Sequence, residues 1–279
     1  LKMHMLQLQC GEIFIIKHEE IAKDNFDTIE SYFKKRFNKS TINNFVKNYL
    51  DYKIEYLTGI KNYKALKKET KYVLNRNKLN NGEISLGYAS ACLDFAEALR
   101  LNGDGKGYIK WIEKNISIRK KIYKKAKYPR LKVTYHNFVF KLIEIVPEDH
   151  DKILLYSKKA LEYANSNEIN YWKRLRGYAI ALSHTGDFKD SINYFKKSLA
   201  CLKNIDFENK ELHVSNINLN LAITSAKVNL KKSIPMLENA LEEANNPAVS
   251  SAIQFKESGV FQNWELIEIA KKILKNNKK

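Results

Sequence analysis

Four prolines and ten glycines in 279 residues leave few places where a helix is forced to stop. The three cysteines, Cys10, Cys92 and Cys201, are odd in number and widely spaced. That pattern favours buried free thiols in a reducing, cytoplasmic setting over disulfides. No run of about 18 apolar residues occurs, so neither a membrane-spanning helix nor a membrane partner is expected. The apolar stretch Ile13 to Ile16 is flanked by His and Glu and lacks the shape of a signal peptide. Acidic residues are the scarce charge: 31 against 49 Lys and Arg, a formal net of +18. A field of that sign attracts nucleic acid, anionic surfaces and acidic partners. The accompanying wealth of Lys, Asn and Ile is also what AT-rich coding produces. The first residue is Leu1 rather than Met, which suits a C-terminal fragment or a non-standard start codon.

Chemistry-bearing motifs are equally sparse. The six histidines, His4, His18, His136, His150, His184 and His213, include no His-x-x-x-His pair, and no cysteine stands close enough to any to suggest zinc. No Gly-x-Ser-x-Gly elbow is present. The glycine-rich segment Asn102-Gly103-Asp104-Gly105-Lys106-Gly107 has no preceding strand and no Gly-Lys-Ser/Thr ending, so it is not a phosphate loop. As a calcium loop it would place Arg100 and Trp111 at the first and last ligand positions, where acids are needed. An inter-helix turn is the expectation there. The chain is expected to be no enzyme, with no catalytic residue, metal or cofactor.

What the sequence does contain is helical repetition. Leu175, Tyr178, Ala179 and Leu182 recur at i, i+3, i+4 and i+7, one face of a helix. Gly186-Asp187 then breaks the pattern, and a second helix presents Ser191, Ile192, Phe195, Ser198 and Leu199 inward. This unit resembles the tetratricopeptide (TPR) repeat. Asn115, Ala160, Ser198 and Ala240 occupy matching contexts at spacings of 45, 38 and 42 residues. The first helices correspond through Cys92, Phe95, Ala96, Leu99 and through Tyr135, Phe138, Val139, Leu142. In the last full repeat Ile217, Leu221 and Val228 are apolar, but interleaved Asn leaves the register ambiguous. A weaker repeat runs from Phe45 to Leu57 and from Tyr63 to Leu74. Two helical patterns close the chain, about Ala248 to Lys256 and Trp264 to Leu274. The expected fold is an all-α, right-handed α-solenoid of degenerate TPR-like helix pairs with a C-terminal capping helix. N-terminal helices would fill residues 1–40, repeats 41–246 and capping helices 247–279. Asp27 to Phe37 followed by a helix from Thr41 looks loosely like a helix-turn-helix, although many solenoid pairs would look the same.

Leu131 to Leu202, with Val133-Thr-Tyr-His-Asn137 opening a first helix and Lys-Lys-Ala-Leu-Glu-Tyr-Ala closing a second, is similar to the sensor domains of peptide-pheromone receptors. These are the Rap, PlcR and Rgg-like regulators of low-GC Gram-positive bacteria and the arbitrium receptors of their phages. The resemblance implies a cytoplasmic quorum-sensing regulator that holds a short peptide or protein segment in a concave groove lined by first helices. It implies Asn side chains pairing with the peptide backbone, since an amide offers donor and acceptor together. Asn216 and Asn220 stand one turn apart, with Asn218 off that face. His136 and Phe140 would face the groove from one first helix, and Lys173, Arg176, Ile180 and His184 from the next. Such a cationic groove suits an acidic peptide or a C-terminal carboxylate. The same residues could simply solvate that face. A homodimer is compatible with the family. PlcR-like and Rgg-like proteins carry an N-terminal helix-turn-helix domain, for which this chain has no clear counterpart. Two alternatives stay open: the C-terminal TPR sensor of a larger bacterial defence NTPase that recognises a phage protein, and a basic helical-repeat nucleic-acid-binding protein. The second rests on charge, including Lys34-Lys35-Arg36, Arg119-Lys120-Lys121 and Lys124-Lys125 with Tyr123 and Tyr128 interleaved.

Overall fold

A computed structural model describes residues 53–55, 57–123, 129–203, 205–207, 209–246 and 263–277. Among the described residues the regular structure is helical. The helices are α1 (Tyr63–Asn81), α2 (Leu86–Leu101), α3 (Gly105–Ile122), α4 (Pro129–Ile145), α5 (His150–Glu162), α6 (Tyr171–Thr185), α7 (Phe188–Lys203), α8 (Lys210–Val228), α9 (Leu230–Ala244) and α10 (Asn263–Asn277). They divide into two compact units, one ending at Ile122 and the other starting at Tyr123. The helix-turn-helix-like segment, the Ala248 to Lys256 pattern and Cys10 lie outside the described residues. No described helix is long and apolar enough to cross a membrane.

Short polar side chains start several of these helices by accepting hydrogen bonds from otherwise unpaired N–H groups. Asn62 caps Ala65 N at 3.2 Å, Ser85 caps Tyr88 N at 3.1 Å, Asp149 caps Lys152 N at 3.2 Å and Asn229 caps Lys232 N at 3.1 Å. Gly186 ends α6 at φ 94°, the left-handed conformation that a side chain resists. The glycine-rich segment is an inter-helix turn. Asn102 closes α2 by donating to Ala98 O at 2.7 Å, and Asp104 Oδ1 accepts from Gly107 N at 2.7 Å.

In the first unit α1 packs on α2 and α2 on α3. Val73, Leu74, Tyr88, Cys92, Phe95, Leu99 and Ile118 form one core, with Trp111 edge-on to Phe95 at 5.3 Å. Burial pushes the Cys92 thiol up to about 12. Cys201, in the other unit, is a half-buried free thiol, so burial there is less complete than expected. The second unit pairs α4 with α5, α6 with α7 and α8 with α9, each pair packing on the next. The first helices α4, α6 and α8 also touch one another in sequence, and α10 closes the stack against α8 and α9. Leu266, Ile267 and Ala270 of α10 are buried, while Glu268, Lys271, Lys272 and Lys275 face water.

The repeat anchors identify themselves by burial: Asn115, Ala160, Ser198 and Ala240 are each at most 3 % exposed. Two of them carry polar atoms and use them alike. Asn115 Nδ2 donates to Ala89 O and Ser198 Oγ donates to Trp172 O at 2.8 Å, each reaching 26 residues back onto its first helix. Asn115 Oδ1 also accepts from Arg119 Nε at 3.2 Å, which draws that guanidinium into the core. The register of the last repeat resolves differently from its sequence pattern. Ile217 and Leu221 are buried, but Val228 is 48 % exposed at the end of α8. Helix α8 is buried on several sides because α6, α7, α9 and α10 all touch it, so no single stripe marks its inner face.

Candidate functional site

The eight candidate residues lie on α4, α6 and α8 of the second unit, and packing between those helices brings several together. His136 of α4 lies against Gly177 of α6. A Cβ built at that glycine would sit 2.6 Å from the imidazole Cε1 and Nδ1, so the absence of a side chain makes the contact possible. Phe140, one turn on, meets the His136 ring edge-to-face at 5.0 Å. Between α6 and α8, Trp172 packs on His213 at 4.8 Å and Phe207 stacks on the indole at 5.9 Å. Further along, Ser183 and Thr224 share a hydrogen bond at 3.0 Å.

Cations gather at this seam. Lys173 Nζ and Arg176 Cζ each lie 5.3 Å from the Trp172 ring centroid, within cation–π range. Arg174 and Arg176 are both buried. The Arg174 Nε is buried without a hydrogen-bond partner among the described residues, and its guanidinium is held below the ordinary arginine range by desolvation. Glu168, whose field reaches Arg174, is already committed to an ion pair with Lys132. His136 is held well below its ordinary value near 6.5, first by burial and then by repulsion from Arg174, Arg176 and Lys173. The result is a neutral imidazole in the field of three α6 cations.

The remaining candidates are placed as follows. Ile180 and Asn216 are buried. Asn220 is half-buried, and its amide donates to Asn216 O at 2.8 Å and to Asn216 Oδ1 at 3.3 Å, so part of its capacity is used within α8. Asn218 points elsewhere, donating to Glu243 Oε2 at 2.6 Å. His184 binds Pro147 O through Nε2 at 2.8 Å and meets the His150 ring at 5.8 Å, tying the end of α6 to the α4–α5 loop. Among the described residues no group of three His, Cys, Asp or Glu side chains could hold a metal ion.

Sequence reasoning missed Trp172, Arg174, Lys132 and Glu168. The Trp172–Arg176 spacing of one helical turn was readable as a cation–π pair. The Lys132–Glu168 pair joins residues 36 apart and carries no sequence signal.

The helix pairs with small buried anchors have counterparts of known structure. Two crystal structures of TPR-like repeats from a putative kinesin light chain of Podospora anserina match this chain at 10 % identity. One has a TM-score of 0.58 over 68 % of this chain and 91 % of its own; the other has 0.57 over 73 % and 94 %. The fold is that of TPR-like repeats. No protein-family model and no curated protein matches the sequence. A weaker likeness to the TPR2AB domain of yeast Sti1, determined as its pHSP90 complex, has 13 % identity and a TM-score of 0.34 over 94 % of this chain and 95 % of that one. The TPR-like identification covers architecture.

Proposed function

We propose that the α4–α6–α8 face of the second unit is a non-catalytic binding site for a short peptide or partner-protein segment carrying a carboxylate, in a regulatory, sensor-type protein. The observation that carries this reading is the charge imbalance at the seam. Lys173, Arg174 and Arg176 of α6 all bear on a neutral His136, the buried Arg174 Nε has no hydrogen-bond partner among the described residues, and the acid near Arg174 is paired to Lys132. A buried guanidinium with an unpaired N–H is costly, and a ligand carboxylate would supply it with an acceptor and the opposite charge. Lys173 and Asn220, both half-buried, would meet the ligand, Asn220 with the amide capacity left toward a peptide backbone, while the buried Trp172, Phe140, Ile180 and Asn216 would hold them in place from behind.

Calorimetric titration of the full chain with acidic peptides tests this, comparing each peptide with its C-terminally amidated form and with a neutral one. Acidic peptides with a free carboxylate are expected to bind best. The Lys173→Gln/Arg174→Gln variant is expected to lose tens of fold in affinity, the value of one or two charge-assisted hydrogen bonds. Equal affinity for acidic, neutral and amidated peptides, or an unaltered affinity in the double variant, would overturn the reading.

A further inference from the structure

Helix α3, in the first unit, presents a different surface. Its exposed positions are 106, 110, 114, 117, 120 and 121, occupied by Lys, Lys, Lys, Ser, Lys and Lys. That spacing keeps all six within about a third of the helix circumference and strings them over roughly 22 Å of its length. The sequence run Arg119-Lys120-Lys121 is split by the fold, Arg119 turning into the core and the two lysines outward. The helix carries one acid, Glu113, which is half-buried. None of the five exposed lysines makes an ion pair among the described residues. Lys114 and Lys121 reach Glu83 of the α1–α2 loop through space. Its 2.6 Å partner Lys78 first, and then these two lysines, hold that carboxyl below its ordinary range.

Lysine abundance alone does not produce this face. On the outward faces of the other second helices acids accompany the lysines: Lys158 with Asp151 and Glu162 on α5, and Lys231 and Lys232 with Glu242 and Glu243 on α9, while α7 comes nearest to α3, with Lys189, Lys196, Lys197 and Lys203 against the single acid Asp190. On α3, by contrast, Lys106, Lys110 and Lys114 repel one another at i, i+4 spacing, and Lys106 opposes the positive end of the helix dipole. The helix is nevertheless held rigid by Tyr108, Ile109, Ile112 and Ile116, all buried.

We propose that the outward face of α3 is a docking surface for the phosphodiester backbone of nucleic acid, recognised without regard to base sequence. A linear cation array on a rigid rod is complementary to a linear polyanion, whose binding releases condensed counterions and relieves the lysine repulsion. The exposed face holds no apolar or aromatic side chain to insert into a lipid surface or to stack on bases, so charge alone sets its specificity.

The test is fluorescence anisotropy of the full chain with labelled mixed-sequence duplex DNA and single-stranded RNA between 50 and 200 mM salt. Log affinity should fall with log salt at a slope near −0.9 per phosphate contacted on duplex and about −0.7 on single strands. Lys106→Gln/Lys110→Gln/Lys114→Gln should reduce the magnitude of that slope by about 2 to 3, with at least a tenfold loss at low salt. Lys120→Gln/Lys121→Gln should show a smaller loss of the same kind. Lys271→Gln/Lys272→Gln/Lys275→Gln on α10 removes the same total charge as the triple variant on α3 and should stay within about threefold of the parent. Equal losses in the two triple variants would reduce the effect to net charge and overturn the proposal. So would an unchanged slope in the α3 variant, or binding to phosphatidylserine-containing vesicles or to an acidic polypeptide without binding to either nucleic acid.

Discussion

Replacing Gly177 by alanine sets two known effects against each other at one atom. In the interior of a helix, alanine is favoured over glycine by about 1 kcal/mol. Here the new methyl would sit 2.6 Å from both Cε1 and Nδ1 of His136. That is about 1 Å inside ordinary carbon contact distance. The imidazole has little room to retreat, being 8 % exposed and braced by Phe140. Overpacking of this kind costs about 1–3 kcal/mol, and two simultaneous contacts place it in the upper half of that range. The net expectation for Gly177→Ala is a loss of about 1–2 kcal/mol, whereas in a His136→Ala background the same substitution gains about 1 kcal/mol. The sign of the effect thus depends on the imidazole, with a coupling of about 2–3 kcal/mol. Urea unfolding of the four proteins in this cycle, followed by circular dichroism and tryptophan fluorescence to check that the transitions coincide, measures it. Stabilisation by Gly177→Ala in the parent, or the same change in both backgrounds, would refute the close packing of α4 on α6 through this pair.

Two further outcomes follow from buried polar groups. Ser198→Ala removes one buried hydrogen bond at a position where Ala160 and Ala240 already show that alanine fits, so a loss of about 1 kcal/mol is expected. Asn115→Ala removes the equivalent bond and also an acceptor of the buried Arg119, so about 2–3 kcal/mol is expected by urea unfolding, and equal losses would contradict this account. For His136, burial first and then cation repulsion lower its proton affinity in the folded state relative to the unfolded chain. The stability contributed by keeping it neutral is therefore fully present above about pH 6.5 and lost as pH falls below it. Relative to His136→Gln, the parent should lose stability by up to about 1.4 kcal/mol per pH unit in that window. A carboxylate ligand should oppose this loss and bind more tightly as pH falls. A parent-minus-variant difference that stays flat from pH 7 to 5 would contradict it.

The sequence by itself determined the helix pairs and their turns. Leu175, Ala179, Leu182 and Phe195 are buried where helical periodicity puts them, and Gly186 adopts the left-handed conformation its place after α6 suggested. These are local properties, fixed by spacing and backbone chemistry. The matching burial of Asn115, Ala160, Ser198 and Ala240 was legible for the same reason, and Asn115 and Ser198 reach their first helices at the same 26-residue offset. Helix α8 was not legible to the same depth, because several neighbours bury it and erase the single apolar stripe that periodicity detects. Tertiary structure alone decided which polar side chains share a neighbourhood. It turned Arg119 inward while leaving Lys120 and Lys121 outside, and it paired Lys132 with Glu168. It also set His136 against a glycine on the next first helix, beneath three cations contributed by α6. Charge acts through space over a few ångströms, and the distances between helices that set those few ångströms are written in no single stretch of the chain.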